Sequence, residues 1–451
     1  MPGSRSRVRG AWLLVALLGL AACRSPLPPP QPRWQVLKPS TPAASARPQA
    51  ATSAASPAPA LPASPVAPAS AAPVINLSSI PPAMPLPAPS TPAPLLIPPA
   101  PLPSGTPFGP ATMATPRGRW VLSDWASLPG WHQDTLAQAW PALLRSCEKP
   151  HPAWTVVCRA ALARGHADEI EVRDFLRSWL QPWRVENADG LADGLLTGYF
   201  EPYLEASRVP GGRFTVPLYS APTDLGQRKP WFSRGQIDSH PAVQSLLRGR
   251  ETAWLADPID ALVLHIQGSG RLMLQEPDGQ RHLVRMAFAG HNDQPYLSVG
   301  RWLVDQGAFT LEQAGWPAIR NWARANPNRV REMLAANPRY VFFREEAMPD
   351  PELGPVGAQG VPLTPARSIA VDRDSIPYGT PVWLTSSEAG SGPWSAGANP
   401  RVLQRLVVAQ DTGGAITGAV RADFFWGWGT TAEDNASRTK QPLRLWALWP
   451  R

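Results

Sequence analysis

The chain has 451 residues, among them 57 prolines, 20 tryptophans and only three cysteines, and its formal charge is +8 at neutral pH. Arginine and lysine are scattered among aspartate and glutamate with no basic run, which excludes a nucleic-acid-binding tract. With no CxxC pair there is no cysteine-built metal framework either.

The chain opens with Arg5, Arg7 and Arg9, then an apolar run from Ala11 to Ala22, then Cys23. That run is shorter than the roughly 20 residues a spanning helix needs, and its length and basic flank are those of a secretory leader. Its end, Leu20-Ala21-Ala22-Cys23, resembles the lipobox of bacterial lipoproteins, in which residues 1–22 are removed and Cys23 is lipidated. Arg24 at the next position implies sorting to the outer membrane of a Gram-negative bacterium, facing the periplasm. Acyl chains would anchor such a protein without spanning the membrane.

Residues 23–116 are dominated by Pro, Ala and Ser, as in "PAPALPASPVAPASAAP". Too little apolar surface is available there to offset ordering entropy, so the tract is expected to be an unstructured tether. In polyproline-like extension it would reach on the order of 200 Å.

From residue 117 onward the chain is long enough for two domains. The spacing of apolar residues predicts helices in "DTLAQAWPALLRSC" and "EIEVRDFLRSWL". Cys147 and Cys158, close in sequence and exported, read as a short-loop disulfide. "DALVLHIQGSGRLML" reads as strand, glycine turn and strand, which makes His265 a core residue on a strand. Short helices are expected over 297–338. Strands follow in "RYVFF", "RSIAVD", "TPVWLT", "RLVVAQD", "AVRADFF" and "PLRLWALW".

No HExxH, Walker loop or GxSxG is present, so no metal, cofactor or activated serine is expected. Carboxylate chemistry remains. Asp423 runs into Phe424-Phe425-Trp426-Gly427-Trp428, where apolar surroundings would raise its pKa and the aromatics could stack on sugar. Eighteen tryptophans lie beyond residue 117, which adds to the suspicion of a carbohydrate groove.

The C-terminal motifs "SIAVDRDSIPYGT", "VVAQDTGGAI" and "VRADFF" resemble a 3D domain, with Asp372, Asp411 and Asp423 as its three aspartates. Upstream, "LLTGYFEPYLEASR", "VLHIQGSGRL", "YLSVGRWLVDQG" and "NPRYVFFRE" resemble the membrane-bound lytic murein transglycosylase A family, and the match runs from about residue 120 to the end. The resemblance implies a mainly β fold with peripheral helices: a double-psi β-barrel plus a smaller inserted β domain, with a substrate groove between them. It divides the chain into a helical part of the barrel domain over 117–198, the insert over 199–338 and the 3D segment over 339–451. It implies a peptidoglycan lytic exotransglycosylase, a non-hydrolytic glycosidic lyase, although the residues leave exo and endo cutting open. Such an enzyme cleaves the MurNAc-(β1,4)-GlcNAc bond and leaves 1,6-anhydro-MurNAc ends. By the same resemblance Asp423 is catalytic and Asp411 and Asp372 support it, while Tyr199, Gln267, Tyr296 and Ser298 are groove residues. The implied partners are glycan strands, a membrane through the lipid, and cell-wall synthesis or division proteins, around a monomer. The competing readings are a muramidase with a second carboxylate, a non-catalytic peptidoglycan-binding lipoprotein and a structural spacer.

Two departures bear on the site. Arg421-Ala422-Asp423 stands where some members have His-Phe-Asp, with one residue more between Asp411 and Asp423. Glu201 in "GYFEP" is an acid that other members lack, and so a candidate second carboxylate.

Overall fold

The computed structural model describes residues 111–387 and 402–451. Cys23, the leader before it and the Pro/Ala-rich tract through residue 110 lie outside the described residues.

The described chain enters through the antiparallel pair β1 (Thr112–Thr115) and β2 (Gly118–Leu122). Composition assigns 112–115 to the tether, but Met113 sits opposite Trp120 and packs on the barrel core, which orders this strand. Three helices follow: α1 (Trp140–Ser146), α2 (Thr155–Arg164) and α3 (Glu169–Trp179). A capping box of Asp168 and Glu171 starts α3, and its i, i+3, i+4 stripe of Val172, Phe175, Leu176 and Trp179 is buried. A disulfide between Cys147 and Cys158, with the Cα atoms 5.0 Å apart, ties α1 to α2. Strands β3 (Leu180–Asn187) and β4 (Gly194–Glu201) complete this segment.

A second sheet then begins, containing β5 (Tyr203–Ser207), β6 (Val216–Tyr219), β7 (Glu251–Leu255), β8 (Gly270–Gln275), β9 (Arg281–His291) and β10 (Val341–Ala347). Its spatial order is β10-β9-β8-β5-β7-β6. Interspersed are α4 (Arg234–Ser239), α5 (Pro241–Leu247), α6 (Pro258–Gln267), α7 (Val299–Asp305), α8 (Trp316–Ala325) and α9 (Val330–Ala335). The strand expected over the first half of "DALVLHIQGSGRLML" is instead helix α6. Asp257 accepts from the Ile259 N–H at 2.7 Å, Pro258 occupies the first turn, and Gly268 closes the helix at φ 83°. Between these caps Ile259 and Ala261 to His265 are all buried, so the run shows no periodicity and a buried helix reads like a buried strand.

The chain returns to the first sheet with β11 (Ser368–Val371), β12 (Pro381–Ser387), β13 (Val402–Asp411), β14 (Arg421–Trp428) and β15 (Lys440–Pro450), with α10 (Gly429–Arg438) between the last two strands. Six strands close on one another in the order β4-β14-β11-β13-β12-β15 and back to β4, through four antiparallel and two parallel pairings. The fold is therefore mainly β with peripheral helices, a barrel and an inserted second sheet. Ile369, Val371, Val382, Leu384, Val407, Phe424 and Leu445 fill the barrel. Phe200 of β4, Val263 of α6, and Ala432 and Ala436 of α10 form the apolar junction between barrel and insert. No helix among the described residues is long and apolar enough to cross a membrane.

Candidate active site

Barrel register gathers the acids. One cross-strand row runs Thr197 on β4, Asp423 on β14, Ala370 on β11 and Asp411 on β13. Residues in one row share a face of the sheet, so the two carboxylates flank the small Ala370. Thr197 Oγ1 donates to Asp423 Oδ1 at 2.5 Å, and Arg421 Nη2 donates to Thr197 Oγ1 at 2.8 Å. The Arg421 cation is thus held one hydroxyl away from the acid. Burial pushes the Asp423 carboxyl up to about 6; the Thr197 hydroxyl and the Arg421 charge oppose this, and the Asp411 charge adds to it.

Asp411 has neither oxygen free. Its Oδ1 accepts from the Ala358 N–H and its Oδ2 from the Tyr199 hydroxyl, each at 2.9 Å. Burial raises this carboxyl too, against those hydrogen bonds. Tyr199 lies two rows along β4 on the same face, opposite Phe425, with ring centroids 5.2 Å apart, and its phenol is pushed well above its ordinary range by burial and the two nearby aspartates. Gly198, between Thr197 and Tyr199, is demanded by packing: a Cβ there would come within 2.7 Å of Trp426 Nε1 and 2.9 Å of the Ala436 Cα.

Asp372 stands further off, just past the end of β11. It accepts from the Gly418 N–H at 2.9 Å and pairs with Arg117 at 3.1 Å. It fastens the loop whose Gly413 to Ile416 form one wall of a cleft of about 270 Å³. Thr197, Arg421 and Asp423 form the barrel side of that cleft, and His265, Ile266, Tyr296, Asn337 and Arg339 face them from the insert. Asp423 is the one carboxylate among the described residues lining it.

Of the four groove residues, Tyr296 lines the cleft. Gln267 is a strut, its Oε1 accepting from the Phe200 N–H at 3.0 Å and so joining α6 to β4. Ser298 caps α7, accepting from the Arg301 N–H at 3.2 Å. Tyr199 supports Asp411. Glu201 lies outside the cleft, wholly buried between Arg271 (2.7 Å) and Arg285 (2.5 Å).

The aromatic run after Asp423 does not line the cleft. Phe424 and Phe425 are fully buried, Trp426 donates to Thr439 Oγ1 at 2.9 Å, and Trp428 stacks on Arg271 at 3.6 Å. A bulge at Gly427, with φ 98°, turns the strand there. No tryptophan lines the cleft among the described residues. Thr197, Asn337 and Arg339 are not marked by sequence chemistry: strand register brings Thr197 to Asp423, and the segment between α9 and β10 brings Asn337 and Arg339 to the same cleft. No group of three or more potential metal ligands is gathered among the described residues.

Residues 195–344 match the MltA specific insert domain and residues 367–449 match the 3D domain. The chain is 32% identical over 274 residues to membrane-bound lytic murein transglycosylase A of Vibrio cholerae, covering 60% of this chain and 69% of that one. It is similar to the solved lytic transglycosylase LtgG of Burkholderia pseudomallei, at 43% identity, TM-score 0.51 and coverage of 76% and 100%. It also resembles the crystal structure of Escherichia coli MltA with bound chitohexaose, at 25% identity, TM-score 0.57 and coverage of 76% and 95%.

Proposed function

The chain belongs to the membrane-bound lytic murein transglycosylase A family, and from that premise we propose that its cleft cuts the MurNAc-(β1,4)-GlcNAc bond of peptidoglycan with Asp423 as the single acid and base. The observation that carries this reading is the accounting of carboxylate oxygens. Both oxygens of Asp411 and of Glu201 are taken, while Asp423 lines the cleft with Oδ2 unbonded among the described residues. A muramidase needs a second carboxylate to activate water. A transglycosylase does not, because the muramyl 6-hydroxyl is the nucleophile and is already held at high effective concentration.

With its carboxyl near 6, about a tenth of Asp423 is protonated at pH 7. That fraction donates to the leaving oxygen. The resulting carboxylate, stabilised by the Thr197 hydroxyl and the charge of Arg421 behind it, takes the proton of the 6-hydroxyl as the anhydro ring closes. Asp411, locked by Tyr199 and Ala358, supplies a nearby negative charge that keeps Asp423 a weak acid, and Asp372 holds the cleft loop. Tyr296 offers a face and a hydroxyl to the sugar. The leader and Cys23 support an outer-membrane lipoprotein whose tether lets the domain reach the wall.

The test is mass spectrometry of muropeptides released from purified peptidoglycan by the full-length chain and by Asp423→Asn. Anhydromuramyl ends that vanish in the variant are expected. Reducing ends would move the enzyme to the hydrolases, and unaltered turnover by the variant would remove Asp423 from the chemistry.

A further inference from the structure

Four arginines with side chains at most 7% exposed lie in the described residues, and three have a carboxylate partner. Arg271 and Arg285 share Glu201, and Arg367 grips Asp134 through two bonds of 2.7 and 2.9 Å. Arg234 is the exception. Its Nε donates to the Asn337 carbonyl at 3.2 Å, and its Nη2 to the Arg339 carbonyl at 3.0 Å and to His265 Nδ1 at 2.8 Å. Nη1 has no hydrogen-bond partner among the described residues. A guanidinium cannot accept a hydrogen bond, so His265 Nδ1 is the acceptor, the imidazole is neutral, and its proton is on Nε2. All three partners are therefore uncharged. A buried cation that no carboxylate contacts is costly; the negative charge acting on Arg234 is that of Asp238 in the same cavity wall, which Arg331 shares, so two guanidiniums stand there against one carboxylate.

Arg234 lines a cavity of about 620 Å³ between β6, α4, α6 and α9, a size typical of ligand pockets. Tyr219 and Tyr340 give it apolar walls, Gln244 and the exposed Arg331 stand at its rim, and Asp238 adds one carboxylate against the two arginines. That set of charges suits a zwitterion with an excess of carboxylate. His265 is also in the wall of the Asp423 cleft, and Asn337 and Arg339, whose carbonyls hold Arg234, line that cleft as well. What fills the cavity is thus one side chain away from what fills the cleft.

We propose that this cavity is a subsite for the stem peptide of the muramyl sugar bound beside Asp423, with Arg234 and Arg331 receiving a peptide carboxylate and Asp238 the amine of its diamino acid. The inference rests on the proposed lytic activity and deepens it. A glycan strand in the cleft carries such a peptide on its lactyl group, tethered within reach. Arginine suits the task because its planar fork matches a carboxylate.

The full-length enzyme should release anhydromuramyl ends from peptide-bearing murein with a higher kcat/KM than from the same glycan stripped of peptide by an amidase. Arg331→Gln, at an exposed position, should shrink that ratio about tenfold, chiefly through KM, and Arg331→Lys should restore part of it. Arg234→Met should do the same. Because its folding is the greater risk, direct titration of the free tetrapeptide against the wild type and Arg331→Gln supplies a second readout. Equal use of both substrates by the wild type, a ratio untouched by the variants, or no tetrapeptide binding would overturn the subsite while leaving the lytic activity standing. Absence of anhydro ends from either substrate would instead remove the reading on which the subsite rests.

Discussion

Glu201 and Asp423 stand at opposite ends of the same strand pair, Glu201 opposite Trp428 and Asp423 opposite Thr197. Both carboxylates are taken largely out of water. At the junction end, Arg271 and Arg285 meet Glu201 directly and also donate to the Pro351 and Leu353 carbonyls. At the cleft end the nearby arginine bonds Thr197 and the Leu195 and Ala422 carbonyls but not the acid, which receives a hydroxyl instead. Burial alone does not make a carboxyl catalytic. What surrounds it decides whether it is a fixed anion that locks two domains or an acid that exchanges a proton.

The contrast predicts opposite signs. Glu201→Gln leaves two buried guanidiniums uncompensated and should cost about 3–5 kcal/mol in denaturant unfolding. An unfolding midpoint equal to the wild type's would mean the cluster does not hold the barrel to the insert. Asp423→Asn should abolish turnover, by 10²–10⁴-fold in order of magnitude, yet stabilise the fold at alkaline pH. The folded carboxyl near 6 holds its proton more tightly than an unfolded aspartate near 3.8, so wild-type stability falls as pH rises through that window and the full penalty applies above it. Removing the charge should return up to roughly 3 kcal/mol at pH 8 and nearly nothing at pH 3. Thermal unfolding of both proteins at the two pH values checks this, and an advantage as large in acid would point to packing instead.

Much of the barrel is legible in the sequence because its strands alternate or run apolar between clear turns, as in "RLVVAQD" and "PLRLWALW". The failures have physical causes. Helix α6 is apolar on every side, so only Asp257-Pro258 and Gly268 betray it, and those caps weigh less than the run between them. Strand β1 has no signal of its own and is ordered by docking Met113. Helix α10 packs on β4 through two alanines, which pattern reading passes over. At the site, Asp411 and Asp423 carry a motif, but their neighbours do not. Thr197 meets Asp423 across 226 positions of sequence, and only strand register makes that contact. The aromatic run misleads for a related reason: alternation sends Phe424 to the other face of β14, Phe425 is buried against Tyr199, and past the bulge Trp428 stacks on Arg271.

The smallest expected effect tests the single hydroxyl that distinguishes the two ends. Thr197→Val keeps shape and burial but removes the donor that favours the charged form of Asp423. The acid should become weaker still, so the alkaline limb of the pH–rate profile should move upward by about half a unit to one unit. At pH 8 the variant would hold more protonated acid than the wild type and lose less activity than at pH 5, where both are protonated and only the weaker support of the departing charge is felt. A limb that moves downward would mean that Arg421, released from Thr197, pairs with Asp423 directly. That outcome would show the hydroxyl to be a spacer between charges first and a donor second, and it would make the cleft end resemble the Glu201 end.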